Sequence, residues 1–240
     1  MTATLERPVR RTYYRNTLPI AQATPSWRSR LLRLAAVILG LAAWFASQAL
    51  IGRIPPPTGV IGDGVHRATG SANQYLLAHP RAADGLLIAS SLGIDALGIF
   101  LLAASIFGRS IKPFLGLLIL FALRQACQAL CTLPPPQGMI WRSPGFPSLL
   151  VTYGVANDLF FSGHTALAVY GSIELGRWGG PVWAAVGVGL AVFEATVVII
   201  LRAHYTMDVF TGIVCALWVY SLSGAAAPWV DGLIGHWVGR

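Results

Sequence analysis

The chain has 240 residues, of which 55% are hydrophobic and only 11% are charged, and its formal net charge is +8. A soluble domain carries about 25% charged residues and cannot bury so much apolar surface, so this composition excludes a soluble globular protein. The apolar runs are continuous rather than alternating, which indicates membrane-spanning helices and not strands. We therefore expect an all-α, polytopic membrane protein.

The positive charge does not indicate a nucleic-acid partner. Seven of the 17 Lys and Arg residues precede or begin the first apolar run: Arg7, Arg10, Arg11, Arg15, Arg28, Arg30 and Arg33. Such an excess is typical of the cytoplasmic side of a membrane protein and also suits anionic lipid head groups. We interpret residues 1–30 as a basic cytoplasmic tail.

Six apolar runs follow in chain order, each of about the length of a bilayer crossing. They cover residues 31–51, 86–107, 113–133, 159–176, 181–201 and 208–224. The first run is interpreted as a retained anchor, although Ser47-Gln48-Ala49 leaves a cleaved signal peptide open. Residues 52–85 are predicted to be a loop in which His66 and His79 are solvated. Residues 31–225 would form the membrane domain, and residues 226–240 a short tail.

The predicted topology gathers the conspicuous polar residues at one membrane face. Six spans place both termini on the same side, and cytoplasmic termini put eleven Lys and Arg residues on inner segments against five on outer ones. His164 then opens the fourth span, and His204 and Asp208 straddle the link between the fifth and sixth. With Arg124 near the end of the third span, all four lie at the extracytoplasmic face.

His204 and Asp208 have the spacing of a nucleophile and its orienting carboxylate. If a helix starts near His204, residues four apart share one helix face. A carboxylate on one ring nitrogen fixes the imidazole tautomer and makes the other nitrogen more nucleophilic. We therefore expect His204 to be a nucleophile that Asp208 orients.

His164 follows Ser162-Gly163 at the predicted start of another helix. Free backbone N–H groups and the positive end of the helix dipole suit a phosphate there, and a glycine allows close approach. His164 would act as a general acid, and the Arg124 guanidinium would hold two phosphate oxygens. This set indicates phosphoryl-group chemistry, and we expect no metal and no cofactor because Cys127, Cys131 and Cys215 lack the spacing of a metal site.

Two histidine motifs resemble those of a known family. Phe161-Ser162-Gly163-His164-Thr165 and His204-Tyr205-Thr206-Met207-Asp208 are similar to the signatures of sphingomyelin synthases, which belong to the lipid phosphate phosphatase (PAP2-type) superfamily. The longer form of the first family motif has Cys-Gly where this chain has Ala156-Asn157, and it matches from Asp158 onwards.

Other stretches extend the resemblance to about residues 55–225. Arg124 precedes Thr132-Leu133-Pro134 at the spacing of an upstream family motif, and Pro55-Pro56-Pro57 with Asp63 is similar to the earliest one. Val198 stands where ordinary lipid phosphatases have an arginine six residues before the histidine, which favours the synthase branch.

The resemblance implies a six-helix bundle whose catalytic core lies at about 113–225. It implies catalytic roles for His164, His204 and Asp208, and substrate or phosphate contacts for Arg124, Asp158, Ser162, Gly163 and Tyr205. His204 would take the phospho-head group from a phospholipid, release diacylglycerol, and pass the group to a ceramide-like or diacylglycerol-like alcohol. Membrane lipids would be the partners, and a homo-oligomer is left open.

Two alternatives remain open at this point. With water as the acceptor, the same residues would make a lipid phosphate phosphatase or a phospholipase C. In a non-catalytic lipid-binding or transport protein, Asp95, Glu194 and the histidines would line a path through the membrane. We favour a packing role for Asp95 and Glu194, since the paired helix breaks of a transporter are not evident in the sequence.

Overall fold

A computed structural model describes residues 26–53, 59, 61–153 and 159–238. The described residues form α-helices and no strand: α1 (Trp27–Ile51), α2 (Gly64–Ala68), α3 (Gly70–Ala78), α4 (Pro80–Phe107), α5 (Lys112–Leu130), α6 (Gly163–Gly179), α7 (Pro181–Ile200) and α8 (Thr206–Trp237). The predicted all-α class is confirmed. Residues 1–25, Pro55–Pro57 and Asp158 lie outside the described residues.

Among the described residues, five helices are long and apolar enough to cross a membrane, namely α1, α4, α5, α7 and α8. The chain is therefore an integral, multi-pass membrane protein. The fourth predicted span corresponds to α6, which has only 17 residues because Ser162 caps it and the helix begins at Gly163. At 1.5 Å per residue α6 is about 26 Å long, slightly less than the roughly 30 Å of a hydrocarbon core. The count of six spans stays a prediction.

The α6 helix lies at the centre of the bundle, where it packs against α4, α5, α7 and α8. Its contact with α7 depends on small residues. A Cβ atom on Gly187 would lie 2.7 Å from Ser172 Cβ, and the Ser172 hydroxyl donates a hydrogen bond of 2.6 Å to the Gly187 carbonyl. Small residues that let backbones approach are typical of helix interfaces in membranes. This packing holds the middle of α6 close to α7.

Two ion pairs with largely buried side chains mark one end of the bundle. Lys112 at the start of α5 contacts Glu174 near the end of α6, with 2.6 Å between Nζ and Oε1. Arg33 on α1 contacts Asp231 near the end of α8 at 3.4 Å. Since α5 begins and α6 ends here, the end of α5 and the start of α6 lie at the opposite end. We call that opposite end the site end.

Three boundaries differ from the sequence-based expectation. α1 begins at Trp27, before residue 31, because Ser26 caps its first turn. The predicted loop at 52–85 contains α2, α3 and the first turn of α4. α8 continues through Pro228 to Trp237, beyond the boundary predicted at 225. A proline removes one helical hydrogen bond, but membrane helices tolerate it because neighbouring groups satisfy the freed carbonyl.

Candidate active site

The start of α6 is a capped helix end. Ser162 accepts a hydrogen bond of 3.3 Å from the backbone N–H of Thr165 and lies 3.0 Å from the Thr165 hydroxyl. Ser162 was expected to contact phosphate, but the structure places its fully buried hydroxyl in this cap. The cap fixes the direction of the first helical turn, and with it the position of His164.

Gly163 allows Arg124 to reach this helix end. A Cβ atom at Gly163 would lie 2.9 Å from Arg124 Nε and 3.1 Å from Cζ, so a larger residue would displace the guanidinium. Arg124 Nε donates a hydrogen bond of 2.7 Å to the carbonyl of Phe161, and Arg124 is only 5% exposed. The structure thus brings the guanidinium and the N-terminus of α6 to one place, where both would attract an anion.

His204 is held in one tautomer. Its Nδ1 lies 2.8 Å from the backbone carbonyl of Leu159 and 3.6 Å from Asp208 Oδ2. Both neighbours are acceptors, so Nδ1 carries a proton and the lone pair of neutral His204 is on Nε2. Asp208 is close enough to stabilise a positive charge on the ring, although Leu159 supplies the shorter contact. His204 therefore has the protonation pattern of a nitrogen nucleophile.

The helix that contains Asp208 begins close to His204, as the expectation assumed. α8 begins at Thr206 and not at His204, so His204 lies in the turn before the helix. The reason is the capping box, in which Asp208 Oδ2 accepts a hydrogen bond of 2.9 Å from the backbone N–H of Tyr205. Asp208 thus caps the helix and also approaches the histidine.

Two residues from the predicted loop hold the turn that contains His204. Asp63 accepts hydrogen bonds from the backbone N–H and the hydroxyl of Thr206, at 2.7 and 2.8 Å, and it also caps α2. Burial alone would raise the pKa of Asp63, but hydrogen bonds from Thr206 and the backbone of His66 lower it to about 2. His66 Nε2 donates a hydrogen bond of 3.0 Å to the carbonyl of His204.

The expectation that His66 is solvated is therefore wrong, since the residue is only 4% exposed. Sequence reasoning gave His66 no role because its partner is a backbone carbonyl, which leaves no side-chain signal at position 204. The neighbouring Asp63 did carry a signal, as the acidic residue after the proline stretch.

Two more side chains fix this turn by donating to backbone carbonyls: Arg202, which lies within the turn, and Asn73 on α3. Arg202 donates to the carbonyls of His66 and Gln137 at 2.9 and 3.2 Å, and its φ of 54° is in the left-handed region. Asn73 donates to the carbonyls of Gly138 and Ile200 at 3.0 and 2.9 Å. The turn from α7 to α8 is thus fixed from several sides, which positions His204 before any substrate binds.

Tyr205 was expected to contact substrate, and the structure places its side chain elsewhere. Its hydroxyl donates a hydrogen bond of 2.9 Å to the carbonyl of Pro134, and its ring stacks on His66 with 5.7 Å between the centroids. Tyr205 therefore joins α8 to the proline-rich loop after α5.

A cavity at the site end brings the candidate residues together. Arg124, His164 and His204 form its polar side. The remaining lining is largely apolar and comes mainly from Trp44, Ile94, Phe121, Met139, Trp141, Leu150, Leu159, Leu167 and Ala203. Trp141 packs its edge against the His164 ring at 5.1 Å. His164 Nε2 is buried without a hydrogen-bond partner in the described part of the chain. A polar end beside an apolar wall fits a lipid whose phosphate meets the histidines.

Asp95 on α4 and Glu194 on α7 are not among the residues that line this cavity. Asp95 accepts hydrogen bonds from the backbone N–H groups of Leu149 and Leu150, at 2.8 and 2.9 Å. Glu194 accepts one of 2.6 Å from the Ser90 hydroxyl. These contacts agree with the packing role that the sequence favoured. Over the described residues, no group of three His, Cys, Asp or Glu side chains could hold a metal ion.

A family model matches more than half of the chain. The family model for AtPDCT1/2, a phosphatidylcholine:diacylglycerol cholinephosphotransferase family, matches residues 62–225. No curated protein is significantly similar to the chain. The matched region begins beside Asp63 and includes Arg124, His164, His204 and Asp208. The family implies an enzyme that transfers lipid head groups, and it does not support ceramide as the substrate.

The resemblance to sphingomyelin synthases stays a prediction, because the matching family carries a different name. The two assignments agree on a phospholipid head-group transferase. Since the match covers more than half of the sequence, the chain belongs to the AtPDCT1/2 family.

Proposed function

We propose that the protein moves the phosphocholine head group from phosphatidylcholine to diacylglycerol through a phosphohistidine on His204. One observation carries the proposal: His204 lines one cavity with Arg124 and His164 while its Nδ1 is engaged by the backbone carbonyl of Leu159. That contact leaves Nε2 as the nucleophilic nitrogen. The AtPDCT1/2 match supports the choice of head group and acceptor.

In the first half-reaction, Nε2 of His204 attacks the phosphorus of phosphatidylcholine. The bond between phosphorus and the glycerol oxygen breaks, and His164 donates a proton to that oxygen, so diacylglycerol leaves. The imidazole then carries phosphocholine and a positive charge, which Asp208 at 3.6 Å stabilises. Charge that develops on the phosphate oxygens is met by Arg124 and by the N–H groups at the start of α6.

The second half-reaction reverses these steps with another molecule. A second diacylglycerol places its hydroxyl where the first one left, and His164 accepts the hydroxyl proton. The alkoxide oxygen attacks the phosphorus, the bond to Nε2 breaks, and a new phosphatidylcholine forms. Leaving and entering alcohols have the same chemistry, so a single binding position serves both.

We further propose six membrane crossings, with both termini in the cytoplasm and the site at the extracytoplasmic face. The end of the bundle opposite the site end carries Arg33, Lys112 and Arg177, and basic residues favour the cytoplasmic side. The site end, at the other end of the bundle, would then meet the outer leaflet. The substitution Arg67→Cys in a variant without the native cysteines tests this orientation, because Arg67 is exposed. In intact cells the new thiol should react with a membrane-impermeant thiol reagent. Failure to label until the membrane is permeabilised would reverse the proposed orientation.

The test of the function is an exchange assay in liposomes. Purified protein receives phosphatidylcholine and fluorescent diacylglycerol, beside the variant His204→Ala. We expect fluorescent phosphatidylcholine with the wild type and none with the variant. Fluorescent ceramide in a parallel reaction distinguishes the acceptors, because labelled sphingomyelin would favour the sphingomyelin-synthase resemblance. His204-dependent phosphate release from phosphatidic acid, without exchange, would instead identify a phosphatase.

A further inference from the structure

The first helix carries two polar side chains on the face that it buries in the bundle. The buried residues of α1 recur every three to seven positions: Ser29, Arg33, Val37, Trp44, Gln48 and Ile51. Trp44 and Gln48 are one helical turn apart, so their side chains lie on the same face. Trp44 is 8% exposed and Gln48 is 4% exposed. Protein atoms therefore cover both side chains, although α1 has a lipid-facing surface.

These two side chains contain three buried polar atoms without a protein partner. Trp44 Nε1, Gln48 Nε2 and Gln48 Oε1 make no hydrogen bond within the described part of the chain. Buried polar groups in folded proteins are normally paired, and an unpaired one lowers stability. The set comprises two N–H donor groups and one carbonyl acceptor. A ligand that satisfies all of them must offer both acceptors and a donor.

A second glutamine, Gln125, shows the contrast. Gln125, on α5 beside Arg124, donates a hydrogen bond of 3.1 Å to the backbone carbonyl of Trp44, and its side-chain oxygen accepts from the Ser47 hydroxyl. Gln125 thus joins α1 to α5 with both ends of its amide satisfied. The unpaired atoms of Gln48 are therefore not needed to join these helices.

Of the two residues, Trp44 lines the catalytic cavity, and Gln48 lies one helical turn further along α1. Trp44 shares this cavity with Arg124, His164 and His204, and it stacks on Phe121 of the apolar wall with 4.4 Å between centroids. Polar donors on the apolar side of a lipid cavity need a reason, because an acyl chain cannot pair with them. In a phospholipid, the groups between the phosphate and the acyl chains are the ester carbonyls of the glycerol backbone.

We propose that Trp44 and Gln48 form a subsite for the glycerol backbone of diacylglycerol, next to the catalytic histidines. The inference rests on the proposed function. The Trp44 indole N–H and the Gln48 amide N–H₂ donate to ester carbonyl oxygens of the lipid. Gln48 Oε1 accepts from the hydroxyl of diacylglycerol as the lipid enters or leaves, and the hydroxyl turns to His164 for the transfer of its proton.

A backbone subsite acts in both half-reactions, since diacylglycerol leaves the same position that the next one enters. Loss of the Gln48 amide should therefore weaken phosphatidylcholine as donor and diacylglycerol as acceptor by the same factor. A donor whose leaving group has no ester carbonyl, such as p-nitrophenyl phosphocholine, does not use the subsite. The two donors thus separate a role in lipid recognition from a role in the chemistry at His204.

The experiment compares Gln48→Leu with wild type on both donors. We expect kcat/KM for phosphatidylcholine to fall about tenfold, which matches one or two lost hydrogen bonds. The kcat/KM for p-nitrophenol release from p-nitrophenyl phosphocholine, which reports the first half-reaction alone, should be unchanged. The KM for diacylglycerol should rise by a similar factor. The matched control is Gln125→Leu, which removes a satisfied glutamine between the same helices. Its effect should be the same on both donors and should appear as a lower melting temperature.

A second variant distinguishes loss of the subsite from loss of folding. Trp44→Phe removes the indole N–H but keeps an aromatic ring against Phe121. With the fold retained, kcat/KM should fall more for phosphatidylcholine than for p-nitrophenyl phosphocholine. Equal effects on both donors, or no effect on either, in both variants would overturn the subsite. If the wild type turns over neither phosphocholine donor, the proposed function itself is wrong. Activity of the wild type on both donors keeps that function, whatever the variants do.

Discussion

The backbone N–H of Ser162 donates a hydrogen bond of 3.1 Å to the carbonyl oxygen of Asp208. This bond joins the first turn of α8 to the cap of α6. The two histidine motifs, 40 residues apart in the sequence, are therefore fixed to each other through their backbones. Their relative position depends on how closely α8 approaches α6, and this dependence can be tested by adding a single methyl group.

Gly212→Ala should push the two motifs apart. A Cβ atom at Gly212 would lie 2.8 Å from the Ser162 carbonyl oxygen, and a backbone atom cannot move aside as a side-chain end can. We expect the variant to lose about 1–3 kcal/mol of stability, the usual effect of overpacking. Head-group exchange should fall with it, measured in liposomes beside thermal unfolding in detergent. Gly235→Ala in the same helix is the control, because nothing lies within 4 Å of its added methyl. Equal stability and activity of both variants would show that α8 can shift without harm.

Asp208 has two roles, which two substitutions separate. Asp208→Asn keeps an oxygen that can accept from the Tyr205 N–H but removes the negative charge near His204. We expect exchange to fall about 10- to 100-fold, by analogy with the loss when a carboxylate that orients a metal-binding histidine is removed. The loss should be smaller than in His204→Ala, because the Leu159 carbonyl still fixes the tautomer. Asp208→Ala should also lower the melting temperature, since the capping box is lost. Full activity of Asp208→Asn would restrict Asp208 to helix capping.

The sequence predicted the helices well, because continuous apolar runs leave few alternatives in a membrane. It also predicted that Arg124, His164, His204 and Asp208 would share one end of the bundle, since alternating spans allow only two ends. These inferences needed only topology and residue type. The position of α6 at the centre of the bundle followed from neither, because it depends on small residues on several helices at once.

The surroundings of His204 could not be predicted in the same way. Its Nδ1 partner is the backbone carbonyl of Leu159, and its own carbonyl is held by His66. Backbone acceptors exist at every position and so leave no pattern in the sequence. The exact start of α8, two residues after His204, could not be predicted either. The Asp208 side chain could face the histidine or cap the helix, and in the structure it does both.

Gly163→Ala should displace Arg124 from the start of α6 while the helix itself is retained, since alanine is a better helix former than glycine. The added methyl would lie 2.9 Å from Arg124 Nε. A displacement of about 1 Å at a reacting group can lower a rate about 100-fold, so we expect kcat for exchange to fall by up to that factor. Gly189→Ala, at an open position on α7, should have normal activity. A fully active Gly163→Ala would contradict the assigned position of Arg124.

The pH dependence of stability should reveal the Asp63 contact with Thr206. The pKa of Asp63 is lowered to about 2 by hydrogen bonds that oppose the effect of burial, whereas an unfolded aspartate has a pKa of about 3.9. A lowered pKa means that the carboxylate stabilises the fold fully above about pH 4 and loses this effect as the pH falls towards about 2. Asp63→Asn should therefore melt at a lower temperature than wild type at pH 7. The difference should shrink as the pH falls from about 4 to about 2, because the wild-type carboxylate becomes protonated and is then neutral, like the amide.

The control for Asp63 is Asp84→Asn. Asp84 pairs with Arg142 at 2.6 Å, but both side chains are more than a third exposed, and exposed pairs contribute about 0–1 kcal/mol. Its substitution should change the melting temperature little at any pH. Exchange activity provides the second comparison, since Asp63 holds the residue two positions after His204 and Asp84 does not. If Asp63→Asn and Asp84→Asn have the same melting curves and the same activity, the contact with Thr206 does not position the nucleophile.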